Sequence, residues 1–217
     1  MDGAAFSVVR DGASAGTFGS SGALSRRLDD FQFTLGEGPC LDAAQQGQPV
    51  LVADLTRSDE DRWPAFARAM AETGVRAVFA LPVTVAGSRV GALDLFRHAP
   101  GTLGERSLAG GLLAARLAVL PLLDLITGDT DWAAAAEGRA GPPELASLER
   151  VEVYQATGMI MARLDVGPED ALVRLRACAF ARKLTASEAA WKIVEGELQM
   201  DVDSSWYLAD GGTGPSS

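Results

Sequence analysis

Arg174, Arg176, Arg182 and Lys183 place four positive charges within ten consecutive positions, and Lys192 follows nine residues later. A guanidinium can pair with phosphate, read a guanine edge or stack on an unpaired base, and an ammonium offers a point charge to phosphate. Charges on a helix ordinarily form a solvated face, so the run permits nucleic-acid contact without requiring it. Other residues capable of chemistry stand in spacings that do not support it. His98 is the only histidine, no GxSxG elbow accompanies it, and no Cys or His lies beside it to complete a metal or haem site. Gly36-Glu37-Gly38-Pro39-Cys40 is glycine-rich, but it matches neither GxxxxGKS/T nor GxGxxG and Pro39 lacks a donor, so a structural turn is expected.

Asp54 ends an apolar run, where a phosphoacceptor aspartate would sit. A receiver site also needs an acidic pair after the first strand and a lysine near the last, and no lysine precedes Lys183. A cap or turn role is expected instead. Asp29-Asp30 and Glu60-Asp61 lie in charged stretches of the kind that water solvates. Cys40 and Cys178 are far apart and are expected to be buried thiols in a reducing compartment. No enzymatic activity, cofactor or metal is expected.

The 217 residues are 47% hydrophobic and 22% charged, which suits one large or two small folded domains. A net charge of −10 argues against a surface that wraps nucleic acid throughout. The segment 148–196 holds seven of the 19 basic and seven of the 29 acidic residues. That leaves 12 against 22 elsewhere and puts the whole net charge outside it. No apolar core follows Met1-Asp2, and the longest apolar stretch, Leu112 to Ile126, is interrupted by Arg116, Pro121 and Asp124. Neither a secretory leader nor a membrane span is expected, and the location is expected to be cytoplasmic.

Three helices are expected between Leu148 and Gly196. The first presents Leu148, Val151, Gln155, Gly158 and Ala162 at helical spacing. Pro168 opens the second, which is lined by Ala171, Leu172, Leu175, Cys178 and Ala179. Thr185 with Glu188 fits a capping box for the third, whose apolar stripe is Ala189, Ala190, Ile193 and Val194. Gly158 and the many alanines are expected to let these helices approach closely. QATGMIMARL (Gln155 to Leu164), EDALVRLRACA (Glu169 to Ala179) and EAAWKIVEG (Glu188 to Gly196) resemble the ANTAR domain, a bacterial RNA-binding output module. The resemblance covers about 50 residues, with Thr157 where the family often has Lys. It implies RNA contact at Arg176, with Arg174, Arg182, Lys183 and Lys192 in support.

Before this module the chain alternates short strands and helices. Strands are expected at Ala4 to Arg10, Thr17 to Ser21, Pro49 to Leu55, Arg76 to Val85 and Val90 to Phe96, the last two forming a hairpin. Pro49 to Leu55 is expected to be buried. Helices are expected at Leu24 to Phe33, Cys40 to Gln46, Trp63 to Thr73 and Thr102 to Ile126. LGEGPCLDA (Leu35 to Ala43), RWPAFA (Arg62 to Ala67), GVRAVFALPV (Gly74 to Val83) and GALDLF (Gly91 to Phe96) resemble a GAF domain. The helix that usually precedes the first strand of such domains has no counterpart here. The resemblance implies an antiparallel sheet flanked by helices, with a small-molecule pocket for which Cys40 and Phe79 are candidates.

Together these observations predict an α+β chain, a GAF-like antiparallel sheet with flanking helices followed by an all-α three-helix ANTAR bundle. The expected organisation is a sensor over 1–125, a linker over 126–146, an RNA-binding module over 147–198 and a tail over 199–217, with Trp206-Tyr207 packing back on the bundle. The function implied is transcription antitermination. The chain would bind hairpins of nascent transcripts as a homodimer, with a ligand or partner at the sensor in control. The alternative is a small-molecule sensor that acts through protein–protein contacts without RNA.

Overall fold

The computed structural model describes residues 1–10, 13–57, 61–85, 87–122, 150–200 and 206–208. The chain divides into two units, Met1–Glu149 and Arg150–Ser217. The expected linker over 126–146 lies outside the described residues, as do the Asp11-Gly12 turn and the last nine residues of the tail.

In the first unit, β1 (Gly3–Arg10), β2 (Ala13–Ser20), β3 (Val50–Val52), β4 (Ala77–Val85) and β5 (Ser88–Arg97) form one antiparallel sheet in the order β2-β1-β5-β4-β3. Strand side chains alternate between faces, and the alternation sorts the core into two layers. Val78, Ala80, Ala92 and Phe96 pack against α1 (Ala23–Leu35), α2 (Pro39–Gln46) and α3 (Pro64–Thr73) through Leu28, Cys40, Ala43, Phe66 and Met70. Phe6, Leu81, Val83 and Leu93 pack on the other face against Ala115 of α4 (Glu105–Leu117) and against Val119 and Leu122.

Three expectations change here. The short strand expected over Thr17 to Ser21 runs instead over Ala13–Ser20. The strand expected over Pro49 to Leu55 is three residues long and lies at the sheet edge, with Leu51 42% exposed. Val50 and Val52 are buried as expected, and only Leu51, on the opposite face, meets solvent. The helix expected over Thr102 to Ile126 begins at Glu105 and is regular to Leu117, with a turn at Ala118 before helical residues 119–122. Pro121 has no N–H to continue the ladder back to Leu117.

The second unit contains α5 (Val151–Leu164), α6 (Pro168–Ala181) and α7 (Ala186–Val194). The capping box is present: Thr185 Oγ1 accepts from Glu188 N at 3.1 Å, and Glu188 Oε2 accepts from Thr185 N at 2.7 Å. Ala171, Leu175, Cys178 and Ala179 of α6 and Ala189, Ala190 and Ile193 of α7 are buried as their spacing predicts. The face of α5 is corrected. Val153, Ala156 and Ile160 are buried, whereas Val151, Gln155, Gly158 and Ala162 face solvent. Both stripes have helical period, and the one with two β-branched side chains buries more apolar area. Gly158 therefore does not serve close packing within the unit, since a Cβ there would meet nothing within 4 Å. The region read as tail contains an antiparallel ribbon, β6 (Leu198–Met200) with β7 (Trp206–Leu208), and β6 buries Leu198 and Met200.

Gly91 sets the spacing of the sheet. A Cβ at this position would lie 1.9 Å from the carbonyl oxygen of Ser7 on β1, whereas one at Gly19 would meet nothing within 4 Å. Gly91→Ala must push two paired strands apart and is expected to cost about 3 kcal/mol in urea unfolding. Gly19→Ala, in the same sheet, is expected to be neutral or slightly stabilising.

Candidate functional site

The five cations named by the sequence do not form one patch. Arg174 and Arg176 are two positions apart on α6, which sets them about 200° apart around the helix, one on each side of the buried stripe. Arg176 is half-buried near Arg150, which the sequence did not single out and which is buried at the N-cap of α5. Burial first, and the charge of Arg150 second, hold the Arg176 guanidinium below its ordinary pKa. Arg182 lies across the bundle, donating from Nη2 to the carbonyl of Trp206 at 3.0 Å and from Nη1 to Cys178 Sγ at 3.6 Å. Lys183 is exposed and takes a left-handed backbone conformation at φ 56° just beyond α6. Lys192 Nζ lies 2.7 Å from Glu197 Oε2, and that hydrogen bond raises its pKa. Lys183 is thus exposed at the α6 C-terminus, Arg176 is near Arg150, and Lys192 has its charge met locally.

The pocket candidates of the first unit are both fully buried. Cys40 belongs to the layer against α1 to α3. Phe79 alternates with Val78 and Ala80 and pairs with Leu95, so it belongs to the opposite face, with the Arg97 guanidinium 5.0 Å above its ring. The two therefore do not share a cavity. The glycine-rich turn is structural, as expected. Gly36 ends α1 at φ 68°, Gly38 precedes α2 at φ 145°, and Glu37 Oε1 accepts from Ala65 N and Phe66 N at 2.7 and 2.9 Å to cap α3. The amide of Cys40 is already committed to Gln32 Oε1 at 2.8 Å. Asp54 holds Thr56 N at 3.0 Å and a bidentate pair with Arg76 at 2.9 and 2.6 Å, so it is a turn former whose carboxyl stays well below the usual range. His98 is a surface residue paired with Asp2 at 3.1 Å.

What the sequence missed is a buried polar cluster on the α1 to α3 face. Asp29 is fully buried rather than solvated and accepts hydroxyls from Ser7, Ser14 and Thr17. A register irregularity between Val8 and Val9 brings Ser14 and Thr17, three residues apart on β2, to the same carboxyl. Asp94 of β5 is also buried. Its Oδ2 accepts from Gln32 Nε2 at 2.6 Å, while its Oδ1 has no hydrogen-bond partner. Burial pushes the Asp94 carboxyl up to about 7, against the pull of the Gln32 bond and with a further push from Asp29. The signal in the sequence was one acid inside the apolar run GALDLF. Among the described residues no group of three or more His, Cys, Asp or Glu is placed to hold a metal, and no helix is long and apolar enough to cross a membrane.

Two further surfaces stand out. Leu113, Leu117 and Leu120, at helical spacing, are 58%, 54% and 61% exposed. Beside them an open apolar recess of about 270 Å³ is lined by Ala4, Phe6, Phe18, Leu93, Ala118 and Pro121 among others.

Comparison with known proteins follows the same division. The family model for the GAF domain matches residues 1–119, and that for the ANTAR domain matches residues 144–194. No curated protein matches the chain. Among solved structures, a domain of a two-component sensor histidine kinase protein from Sinorhizobium meliloti 1021 is 15% identical, covers 64% of this chain and 85% of its own, and has a TM-score of 0.44. The GAF domain of a phosphoenolpyruvate-protein phosphotransferase from Coxiella burnetii is 17% identical over 64% of this chain and 76% of its own, with a TM-score of 0.42. A type II free methionine-R-sulfoxide reductase from Thermoplasma acidophilum is 17% identical over 54% and 74%, with a TM-score of 0.39.

The Asp94 carboxyl yields a pH prediction. A raised pKa means that the native state keeps a proton the unfolded chain releases near pH 4. Stability from this group is therefore present below the ordinary carboxylate range and is lost as pH rises to about 7. Thermal melts from pH 4.5 to 8 should show a midpoint that falls by several degrees in the wild type and clearly less in Asp94→Asn, with the variant the more stable at pH 8.

Proposed function

This chain belongs to the GAF domain family and has an ANTAR domain behind its GAF domain, and we propose that it is an RNA-binding regulator of transcription antitermination whose sensor domain controls the RNA module. The order of the two domains on one chain is the observation that supports this reading. Its chemistry is binding, and no covalent bond is made or broken. The targets would be hairpins in nascent transcripts, approached from the α6 side where Arg176 and Lys183 lie, with Arg174 flanking. Lys192 and Arg182 contribute less, because Glu197 and Trp206 already engage them.

Two hairpins call for two copies of the module. The exposed leucines of α4 and of the helical residues after it support a homodimer seam there, since i, i+4, i+7 spacing lets two such helices pair. A small molecule or partner at the sensor would act by binding one arrangement of the pair more tightly than the other. The alternative, a sensor acting through protein contacts alone, is favoured by one observation: the stripe Val151, Tyr154, Gln155, Gly158 and Ala162 of α5 is exposed and contains no charged residue, the exposed Arg163 lying to one side of it.

Two measurements test the proposal. A gel shift with a two-hairpin RNA should show affinity that falls with salt and drops about tenfold in Arg176→Ala, with circular dichroism confirming a folded variant. Wild-type protein that leaves the RNA unshifted at every salt concentration favours the protein-contact reading. Separately, Leu113→Glu with Leu117→Glu should convert a dimer to a monomer in sedimentation, and an unchanged mass would remove the seam from α4.

A further inference from the structure

The second unit contains a recess that the five cations do not account for. It has a volume of about 290 Å³ and lies between α5, α7 and the ribbon, lined by Met159, Arg163, Ile193, Gln199, Met200 and Trp206 among others. That is close to the small end of ligand pockets, roughly 300–1,000 Å³, and so leaves room for one flat group. Ile160 and Ile193 are buried and form an apolar floor, while Met159 is exposed and Trp206 is partly so. Arg163 is exposed in the last turn of α5 and supplies a cation to the lining.

The ribbon that closes the recess is fixed in place. Leu198 and Met200 are buried, Met200 pairs with Trp206, Arg182 holds the Trp206 carbonyl at 3.0 Å, and Tyr207 Oη donates to Gln199 Oε1 at 3.1 Å. The matched ANTAR segment ends at residue 194, so Gln199, Met200 and Trp206 belong to a part of the chain that this match does not cover.

We propose that this recess receives one unpaired base of the bound RNA, stacked on Trp206, with Arg163 meeting the adjoining phosphate. The inference rests on the RNA-binding reading and adds a specificity site to it. An indole beside thioethers offers a π-face and polarizable contacts to a base, and an exposed guanidinium at the same opening favours a group attached to an anion. A purely apolar protein side chain would gain nothing from Arg163. The arrangement also gives a role to Arg182. It orients Trp206 through the ribbon backbone, so it affects RNA binding without touching the RNA.

The test uses the full chain and a fluorescein-labelled RNA with two stem-loops, together with versions in which each loop base in turn is abasic and a fully paired duplex of equal length. Trp206→Ala and Arg163→Ala should each weaken stem-loop binding about tenfold, the usual loss for one stacked base or phosphate contact, and leave duplex binding within twofold. Trp206→Phe keeps a ring and should recover most of the loss, which separates stacking from collapse of the ribbon. One abasic position should weaken wild-type binding to the same extent and cause no further loss in Trp206→Ala. Folded variants that bind the stem-loops as wild type does would overturn the site while leaving RNA binding intact. Wild-type protein that does not bind the probe at all removes the RNA reading, and the site with it. Competition of the stem-loop by micromolar AMP or GMP would reassign the recess to a free nucleotide. A change in oligomer mass with unaltered RNA affinity would make it a protein contact, and either result overturns the proposal.

Discussion

The side-chain amide of Gln32 is the joint on which the first unit depends. Its Nε2 donates to Asp94 on β5 and its Oε1 accepts from the amide of Cys40 at the start of α2, so one buried side chain on α1 ties a strand and a second helix together. Buried polar groups are costly unless paired, and this pairing selects a single arrangement of the layer. Gly38 must lack a side chain because a Cβ there would fall 2.5 Å from Gln32 Oε1. The glycine-rich turn is thus shaped by the joint behind it. Glu37, next in the same turn, extends the arrangement to the N-terminus of α3.

The Asp29 cluster follows from the same constraint. Three hydroxyls from β1 and β2 converge on a carboxyl of α1, and they can do so only because the strand pair slips register at the right point. Asp94 has the less satisfied position, with one oxygen bonded and the other not, and burial raises its proton affinity. With its carboxyl pushed up to about 7 by burial, Asp94 gives the layer against α1 to α3 a proton-dependent element.

The second unit works differently. Its helices meet through alanines, Ala156, Ala171, Ala179, Ala189 and Ala190 among them, so the core is thin and many large side chains remain outside. Tyr154, Met159, Val173, Phe180 and Trp191 are all exposed. A thin bundle gains from a cover, and the ribbon of β6 and β7 provides one over part of it. The recess lies where that cover meets α5 and α7, and the charge available there belongs to Arg163, not to the cations grouped in the sequence.

Period, punctuation and caps could be read from the chain alone. The hairpin of β4 and β5, the helix stops at Gly47 and Gly74, and the capping box at Thr185 and Glu188 all follow from short-range chemistry, and they are found where the residues predict. The family words identified both domains for the same reason, since they are short segments of fixed spacing. Sequence could not choose between two stripes of equal period on α5, because that choice depends on the area each buries against α6 and α7. Nor could it foresee that Asp29 is buried, that Cys40 and Phe79 face opposite sides of the sheet, or that Arg174 and Arg176 part around their helix. Those outcomes depend on which elements pack together and from which side, and only the tertiary structure fixes that.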